Sequence, residues 1–444
     1  MGESVRVGVL SLHNSKETKA ILNAVDALGH DTEWLRSENT VVRFEDGDAS
    51  LSPDVDVIVN RLLLSNTEQP SEELGLARTL AGVRPMLNTP DATARAAHKT
   101  AAAVELVNDG LPVPQTGLAL DNDQLNQLRE EYGDEAVYKT AIGTHGGGAW
   151  KVQTSDPLTA RVGNRRAFLQ ELVGRDDGEA PRDLRVYVVG GEVVGAMCRY
   201  ATDGDWRTNV ARGGSVEDVT DTVSAEVLDL ARQATATVGL DYAGVDLIEG
   251  DDGWYVLEVN PTAGFKGLYS ATGHSPAPHI ARQAIEFAGG SVDRERVQGL
   301  ASTLDDSVPA CKPARTSVSS DEAITIGFTE QVVVSGTSGR TTVVAKSDSG
   351  AARTSIDLRL AADIGAGPIH TVSRVRSGSS KESKTRPVVD LVVGIGGEQY
   401  TVSANIEDRT HMSHPLLLGR DILKNYRIDV SRRVEDHAEV GDEE

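Results

Sequence analysis

The sequence predicts an α/β chain that turns all-β near its end. Three observations carry this. Short apolar runs alternate with helical periods over residues 5–82, the pattern of strands covered by helices. In the middle of the chain a glycine-rich hairpin is followed by two strands, in AGVDLIE and WYVLEVNP. From Ala323 to about Arg433 the chain becomes a series of Val, Ile and Thr runs cut by Gly and Ser, without a helical period.

Residues 5–10, VRVGVL, form an apolar run suited to a buried parallel strand. Ser15 to Gly29 reads as a helix, with Ser15 as N-cap and Gly29 as the stop. VDVIVN at 55–60 is the next strand and 71–82 the next helix. This α/β domain, residues 1–88, has no G-x-G-x-x-G after its first strand, which excludes a dinucleotide-binding unit by motif. Thr89 caps a helix with Pro90 first and Asp91 in the opening turn, and a single helix is expected to about Asp109. Strands and glycine loops follow to about residue 200, then a helix at 222–238, strands at 243–249 and 254–259, and a helix at 276–288, giving a second domain over 89–289. Residues 290–322 are rich in Ser, Asp, Thr and Pro and read as a linker to an all-β domain at 323–433. Residues 434–444 read as a disordered acidic tail.

At 444 residues the chain has room for two to four domains, and 39% hydrophobic residues support real cores. No apolar run reaches the length of a membrane span, and the first residues lack the apolar region of a signal peptide. The 2 cysteines, Cys198 and Cys311, have no metal-ligand spacing, which points to a reducing cytoplasm without disulfides. The net charge of −23 repels nucleic acid. The acids are dispersed along the chain, as a high-salt cytoplasm would favour, since screening there removes the repulsion. An acidic partner-binding face is the alternative.

Glu258 and Asn260 are two apart in a strand and point the same way. Asp246 can join them from a neighbouring antiparallel strand. Three oxygen ligands without His or Cys suit Mg²⁺ (or Mn²⁺) carrying nucleotide phosphates rather than zinc. A solvated pair of hairpin carboxylates is the other reading. YKTAIGTHGGGAWKV at 138–152 is strand, glycine loop, strand, and its backbone N–H groups can approach phosphates closely. No G-K-[ST] follows, so it is no Walker loop. Lys99 and Lys139 offer compact charges for phosphate oxygens.

The combination resembles the ATP-grasp superfamily, and within it the RimK-type carboxylate–amine ligases. The likeness spans about residues 1–285 through NTPDATARAAHK, the 138–152 loop, FLQELV, DLRVYVVGGEVVGA, RTNVARGG, AGVD and LEVNP. It implies an α/β domain before an α+β ATP-grasp domain, with ATP and Mg²⁺ as cofactors. By this resemblance Lys99 and Lys139 bind the ATP phosphates, and Gly146, Gly147 and Gly148 close over them. Gln170 and Glu171, with Leu172 and Val173, face adenine. Arg185, Asn209 and Arg212 line the acyl-phosphate and substrate pocket, with surface ion pairs the alternative for the arginines. Asp246, Glu258 and Asn260 hold the metal. The implied reaction converts a carboxylate to an acyl phosphate, which an amine attacks to give an amide. An amino acid, often glutamate in this family, and a carboxylate acceptor are the expected substrates.

AKSDSGAARTSI at 345–356 and HPLLLGRDIL at 414–423 form a second constellation. It resembles one retropepsin half, and more closely the RimK-associated "ATP-dependent zinc protease" family, which implies a β-barrel over 323–433. Here Ser349 stands in the middle of the Asp-Ser-Gly turn and Ala352 looks like an inserted residue. Asp348 would be the catalytic carboxylate, and one such Asp per chain implies a homo-oligomer. No H-E-x-x-H is present, and His370, His411 and His414 have no known metal spacing. The alternatives are a turn-stabilising role for Asp348 in a binding module, and a peptidase whose ATP-grasp part regulates it.

Overall fold

The structure, a computed structural model, describes residues 4–65, 67, 69–143, 148–163, 165–174, 181–202, 206, 208, 214–312, 324–367, 369–376 and 383–434. The chain divides into two compact units, Met1–Pro313 and Ala314–Glu444. Gly146, Gly147, Asn209 and Arg212 lie outside the described residues, as does the expected tail beyond Val434.

The first unit begins with a parallel sheet in the order Asp31–Leu35, Arg6–Leu10, Val57–Asn60, Met86–Leu87. Strand Arg6–Leu10 is central, which explains its continuous apolar run: Val7 and Val9 are fully buried. Helix Lys16–Ala27 packs on it, and the Ser15 side chain accepts the Thr18 N–H as the cap. Gly29 adopts φ 90°, the left-handed conformation that ends the segment. A hairpin of Val41–Glu45 and Asp48–Ser52 was not legible in the sequence.

The expected helix from 89 to 109 is two helices, Pro90–Ala97 and Lys99–Asn108. His98 between them is extended at φ −101° and ψ 98°, and its ring accepts the Ala101 N–H. The Lys99 N–H leaves the helical ladder and donates to the Ala141 carbonyl at 2.8 Å.

Two further sheets follow. One gathers Glu135–Thr140, Ala149–Gln153, Arg161–Val162, Arg165–Glu171 and Thr116–Gly117. The other is antiparallel, in the order Ser215–Asp218, Glu192–Tyr200, Arg182–Val189, Tyr242–Gly250, Gly253–Asn260. Helix Ala225–Val238 covers its face with Val227, Ala231, Ala234 and Val238. Helix Ala277–Phe287 joins the first parallel sheet to this one through Ile280, Ala281, Ala284 and Ile285.

The linker expected from 290 is corrected at its start. Arg294–Ala301 is a helix capped by Asp293, and Val297 and Ala301 are buried in the first unit. Val297, Leu300 and Ala301 stand at i, i+3 and i+4 and share one packed face, and Leu304 packs beside them after the helix ends. Polar neighbours and Gly299 mask that period in the sequence.

The second unit is a barrel. Thr329–Ser335, Arg340–Ser347, Leu416–Leu418, Ser355–Asp357, Glu398–Glu407 and Ser383–Ile395 pair in turn, and the last pairs back to the first. Strand Ile369–Arg376 extends the sheet beyond Ser383–Ile395. Alternation places Val332 and Val334 inside and Gln331 and Val333 outside. Among the described residues, no helix is long and apolar enough to cross a membrane, and Cys198 and Cys311 are free thiols.

Candidate active site

The strands bearing Asp246 and Glu258 are antiparallel neighbours, with these two residues paired in register and an irregularity just after Asp246. Strand Arg182–Val189 pairs on the other side and sets Arg185 opposite Asp246. Arg185 donates from Nε and Nη2 to the two Asp246 oxygens at 2.5 and 2.6 Å. Arg199 approaches Asp246 at 3.0 Å, and its Nε and Nη2 also hold both Asp183 oxygens at 2.6 and 2.5 Å. Burial alone would raise the Asp246 pKa, but Arg185 and Arg199 outweigh it and hold the carboxyl well below its usual range.

The lysines arrive from separate elements. Lys99 opens helix Lys99–Asn108 and pairs with Glu258 Oε1 at 3.0 Å. Lys139 lies on Glu135–Thr140 and donates to Gln170 Oε1 at 2.5 Å, while Gln170 donates to Thr116 Oγ1 at 3.0 Å. Burial, then the neighbouring Lys99 charge, pushes the Lys139 ammonium down to about 8. Asn260 turns its Oδ1 to the Thr262 N–H at 2.9 Å.

One cleft of about 980 Å³ is lined by Lys99, Lys139, Gly148, Gln170, Glu171, Leu172, Val173, Arg185, Asp246, Glu258 and Asn260. These sequence candidates therefore share one site. A Cβ on Gly148 would fall 2.2 Å from Thr140 Oγ1, so any other residue there would force Thr140 to shift. The three ligand candidates fit a hard cation by donor chemistry: two carboxylates and an amide oxygen, with the carboxylates facing Lys99, Arg185 and Arg199.

Asp183 and Arg199 are site-lining residues that sequence reasoning missed. A partial signal existed. Gly190 and Gly191 both have positive φ, at 57° and 77°, as a two-residue hairpin turn requires. Folding the chain there alone sets Asp183 opposite Cys198, and a bulge between Tyr187 and Val188 that the sequence does not announce shifts the register by one to pair Asp183 with Arg199.

In the second unit, strand Arg340–Ser347 runs parallel to Leu416–Leu418, bringing the two carboxyl-terminal motifs together. Asp348 is half-buried; its N–H donates to the Leu418 carbonyl at 3.0 Å, and its Oδ1 accepts the Gly350 N–H at 2.9 Å. Arg420 donates to the Ser349 and Gly350 carbonyls at 2.8 and 3.0 Å. Asp421 accepts the Thr354 N–H and hydroxyl, locking the loop after Ala352. The His370 side chain lies outside the described residues.

Residues 96–284 match the RimK-like ATP-grasp domain. Residues 365–438 match the retropepsin-like aspartic endopeptidase RimB, a match that begins after Asp348. The chain is 33% identical over 211 residues to the tetrahydromethanopterin:alpha-L-glutamate ligase of Methanocaldococcus jannaschii, covering 46% of this chain and 71% of that protein. It is 30% identical over 299 residues to the probable alpha-L-glutamate ligase 2 of Pseudoalteromonas atlantica, covering 64% of this chain and 95% of that protein. Among solved structures, the ATP-grasp ligase PsnB complexed with a phosphomimetic variant of its minimal precursor, Mg and ADP has a TM-score of 0.51 at 20% identity, covering 64% of this chain and 98% of that one, a likeness of fold. The chain thus belongs to the RimK-like ATP-grasp ligases, enzymes that use ATP to form a C–N bond, and carries a RimB-like retropepsin-like domain in the same polypeptide.

Proposed function

We propose that the first unit joins an amino acid to a carboxylate acceptor through an acyl phosphate, releasing ADP and phosphate. The observation that carries this is the cleft itself: two lysines, Arg185 and an all-oxygen ligand set converge on it from separate elements. The names of the alpha-L-glutamate ligase relatives make glutamate the first candidate amine. The acceptor carboxylate attacks the γ-phosphate, the amine then attacks the acyl carbon, and phosphate leaves. Lys139 is buried, so its charge acts on phosphate oxygens with little solvent screening. Arg185, Asn209 and Arg212 supply charge and hydrogen bonds to the acyl phosphate, and Gly146, Gly147 and Gly148 cover it against water. Asp246, Glu258 and Asn260 would hold Mg²⁺, or Mn²⁺, which when bound neutralises phosphate charge in the transition state.

The test is Asn260→Ala, assayed for ATP-dependent attachment of glutamate with ADP and AMP quantified. The expected result is a loss of at least about tenfold in metal-dependent turnover, or about 1.4 kcal/mol of barrier, with the fold intact. Turnover at the wild-type rate, or AMP as the stoichiometric product, refutes the assignment.

A second reading, peptide cleavage by the second unit, is favoured by the closure of the Asp348 turn on Leu416–Leu418. One Asp per chain requires two chains to form the proton-sharing pair of carboxylates. Asp348→Asn should abolish any peptidase activity and leave ATP-dependent ligation unchanged.

A further inference from the structure

The carboxyl-terminal ends of the first parallel strands gather positive charge outside the nucleotide cleft. His13 follows Arg6–Leu10, Arg36 follows Asp31–Leu35, and Arg61 follows Val57–Asn60. This edge of an open parallel sheet is where ligands bind. The twelve-residue helix Lys16–Ala27 also begins here, adding the partial positive charge of its first turn.

Arg61 is the decisive residue. It is only 4% exposed. Its guanidinium lies 5.3 Å over the Phe265 ring, and its Nη2 donates to the Thr262 carbonyl at 3.3 Å. Its Nε is buried and has no partner among the described residues. The other arginines buried this deeply, Arg199, Arg282 and Arg409, each face a carboxylate. Among the described residues Arg61 faces none within ion-pair distance. An unpaired buried charge is far more costly than a paired one, so an anion bound here would offset the burial of Arg61. Of the acids nearby, Glu38 pairs with Arg36 at 2.6 Å, and Glu17, which accepts the Ser15 hydroxyl at 3.0 Å, keeps its charge beside His13 but makes no ion pair with Arg61. His13 is exposed and opens the cluster to solvent. Although part of its surface reaches solvent, the packed side of its imidazole is desolvated, which lowers its pKa, and Arg61 and then Arg36 lower it further against Glu17, so both guanidinium fields reach it.

The position relative to the chemistry narrows the anion. Arg61 holds the Thr262 carbonyl, and the Thr262 N–H holds Asn260. Tyr187, two residues from Arg185 on one strand face, donates to the Gly264 carbonyl in the same loop. Lys99 pairs with Glu258, on the strand before Asn260. Arg61 therefore adjoins the loop after Asn260 and is not among the residues lining the cleft with Lys99 and Lys139. An anion there belongs to the reaction partner, not to the nucleotide.

We propose that Arg61, with His13, Arg36 and the start of helix Lys16–Ala27, binds a carboxylate of the incoming amino acid and so presents its amine to the acyl phosphate. This rests on the ligase reading above. The test is isothermal titration of L-glutamate into the full-length protein with ADP and Mg²⁺ present, beside a separate titration of ATP. Wild-type protein should bind L-glutamate. Arg61→Gln should weaken it at least tenfold, and the exposed His13→Glu severalfold, with ATP affinity held within twofold in both. L-glutamate binding unchanged in both variants overturns the proposal, as does a wild-type protein that binds ATP but not L-glutamate. Sodium sulfate displacing L-glutamate at equal concentration would identify an ordinary anion site and also overturn it. Loss of ATP binding by the wild-type protein would instead bring down the ligase reading, and this inference with it. Because His13 is exposed, its variant keeps the test decisive if Arg61→Gln fails to fold.

Discussion

Replacing Arg199 by Met tests how the site is held together. The Arg199 side chain is 5% exposed, with Asp183 at 9% and Asp246 at 10%. Arg199 donates twice to Asp183, while Asp246 keeps both hydrogen bonds from Arg185. Met fills the volume of the aliphatic stem, so packing loss is small. The dominant cost is the Asp183 carboxylate left buried without its partner, about 3–5 kcal/mol. Two lost charge-assisted hydrogen bonds of about 1.5–3 kcal/mol each come to about 3–6 kcal/mol, which overlaps that range. Asp183→Leu/Arg199→Met should recover most of the loss, because an apolar pair of similar volume replaces a buried ion pair at little net cost. Tryptophan fluorescence in urea is the assay. Trp34, Trp150, Trp206 and Trp254, all 4 tryptophans of the chain, lie in the first unit, so the signal reports that unit alone. A single variant that loses less than about 1 kcal/mol, the level of an exposed pair, refutes the reasoning. So does a double variant as unstable as the single.

Two other perturbations reach separate features. Lys139 has a pKa lowered to about 8 from 10.5, so the unfolded chain binds more protons between those values and ligand-free stability should rise with pH across that window. If Lys139 binds ATP phosphate as proposed, ATP selects its charged form; affinity should then fall about fivefold from pH 8 to 9, with proton uptake seen by calorimetry in two buffers, and an affinity flat from pH 7 to 9 counts against the shift. The second unit exposes Ile369 and Val372 on the edge strand Ile369–Arg376, at 60% and 61%, an edge fit for pairing with a second copy. The full chain should be an even-numbered oligomer by light scattering and a chain ending at Pro313 smaller in subunit number; a full-length monomer, or an unchanged subunit number after truncation, rules this out.

What the sequence made legible was local. Glu258 and Asn260 could be placed on one strand face because the period of two leaves no freedom, and Asp246 is their cross-strand neighbour. The helix Ala225–Val238 showed itself by an apolar stripe and a following glycine, Gly239, in the left-handed conformation. The Asp183–Arg199–Asp246–Arg185 chain was not legible, because it depends on the register of three strands. The strand Asp31–Leu35 was also missed: only Trp34 and Leu35 of DTEWL are buried, too short a run to stand out from a loop.

The break at His98 shows why the site's chemistry cannot be read from propensity alone. ARAAHKTAAAVELV is rich in good helix formers, and nothing in it calls for a stop. In a continuous helix the Lys99 N–H would bond to the Arg95 carbonyl. Instead the His98 N–H takes that carbonyl at 3.3 Å, and the Lys99 N–H takes the Ala141 carbonyl at 2.8 Å, just after strand Glu135–Thr140. The His98 ring then accepts the Ala101 N–H, supplying the cap that the new helix start needs. The backbone hydrogen bonds are therefore exchanged rather than lost, and the local cost of the break is small. Its consequence is geometric. Lys99 becomes the first residue of a new helix, tied through its own N–H to the strand segment that carries Lys139. The exchange couples two lysines forty residues apart to one backbone junction and leaves the Lys99 ammonium against Glu258. A tertiary hydrogen bond overrode helix propensity at the position where an uninterrupted helix would have set Lys99 on a different bearing.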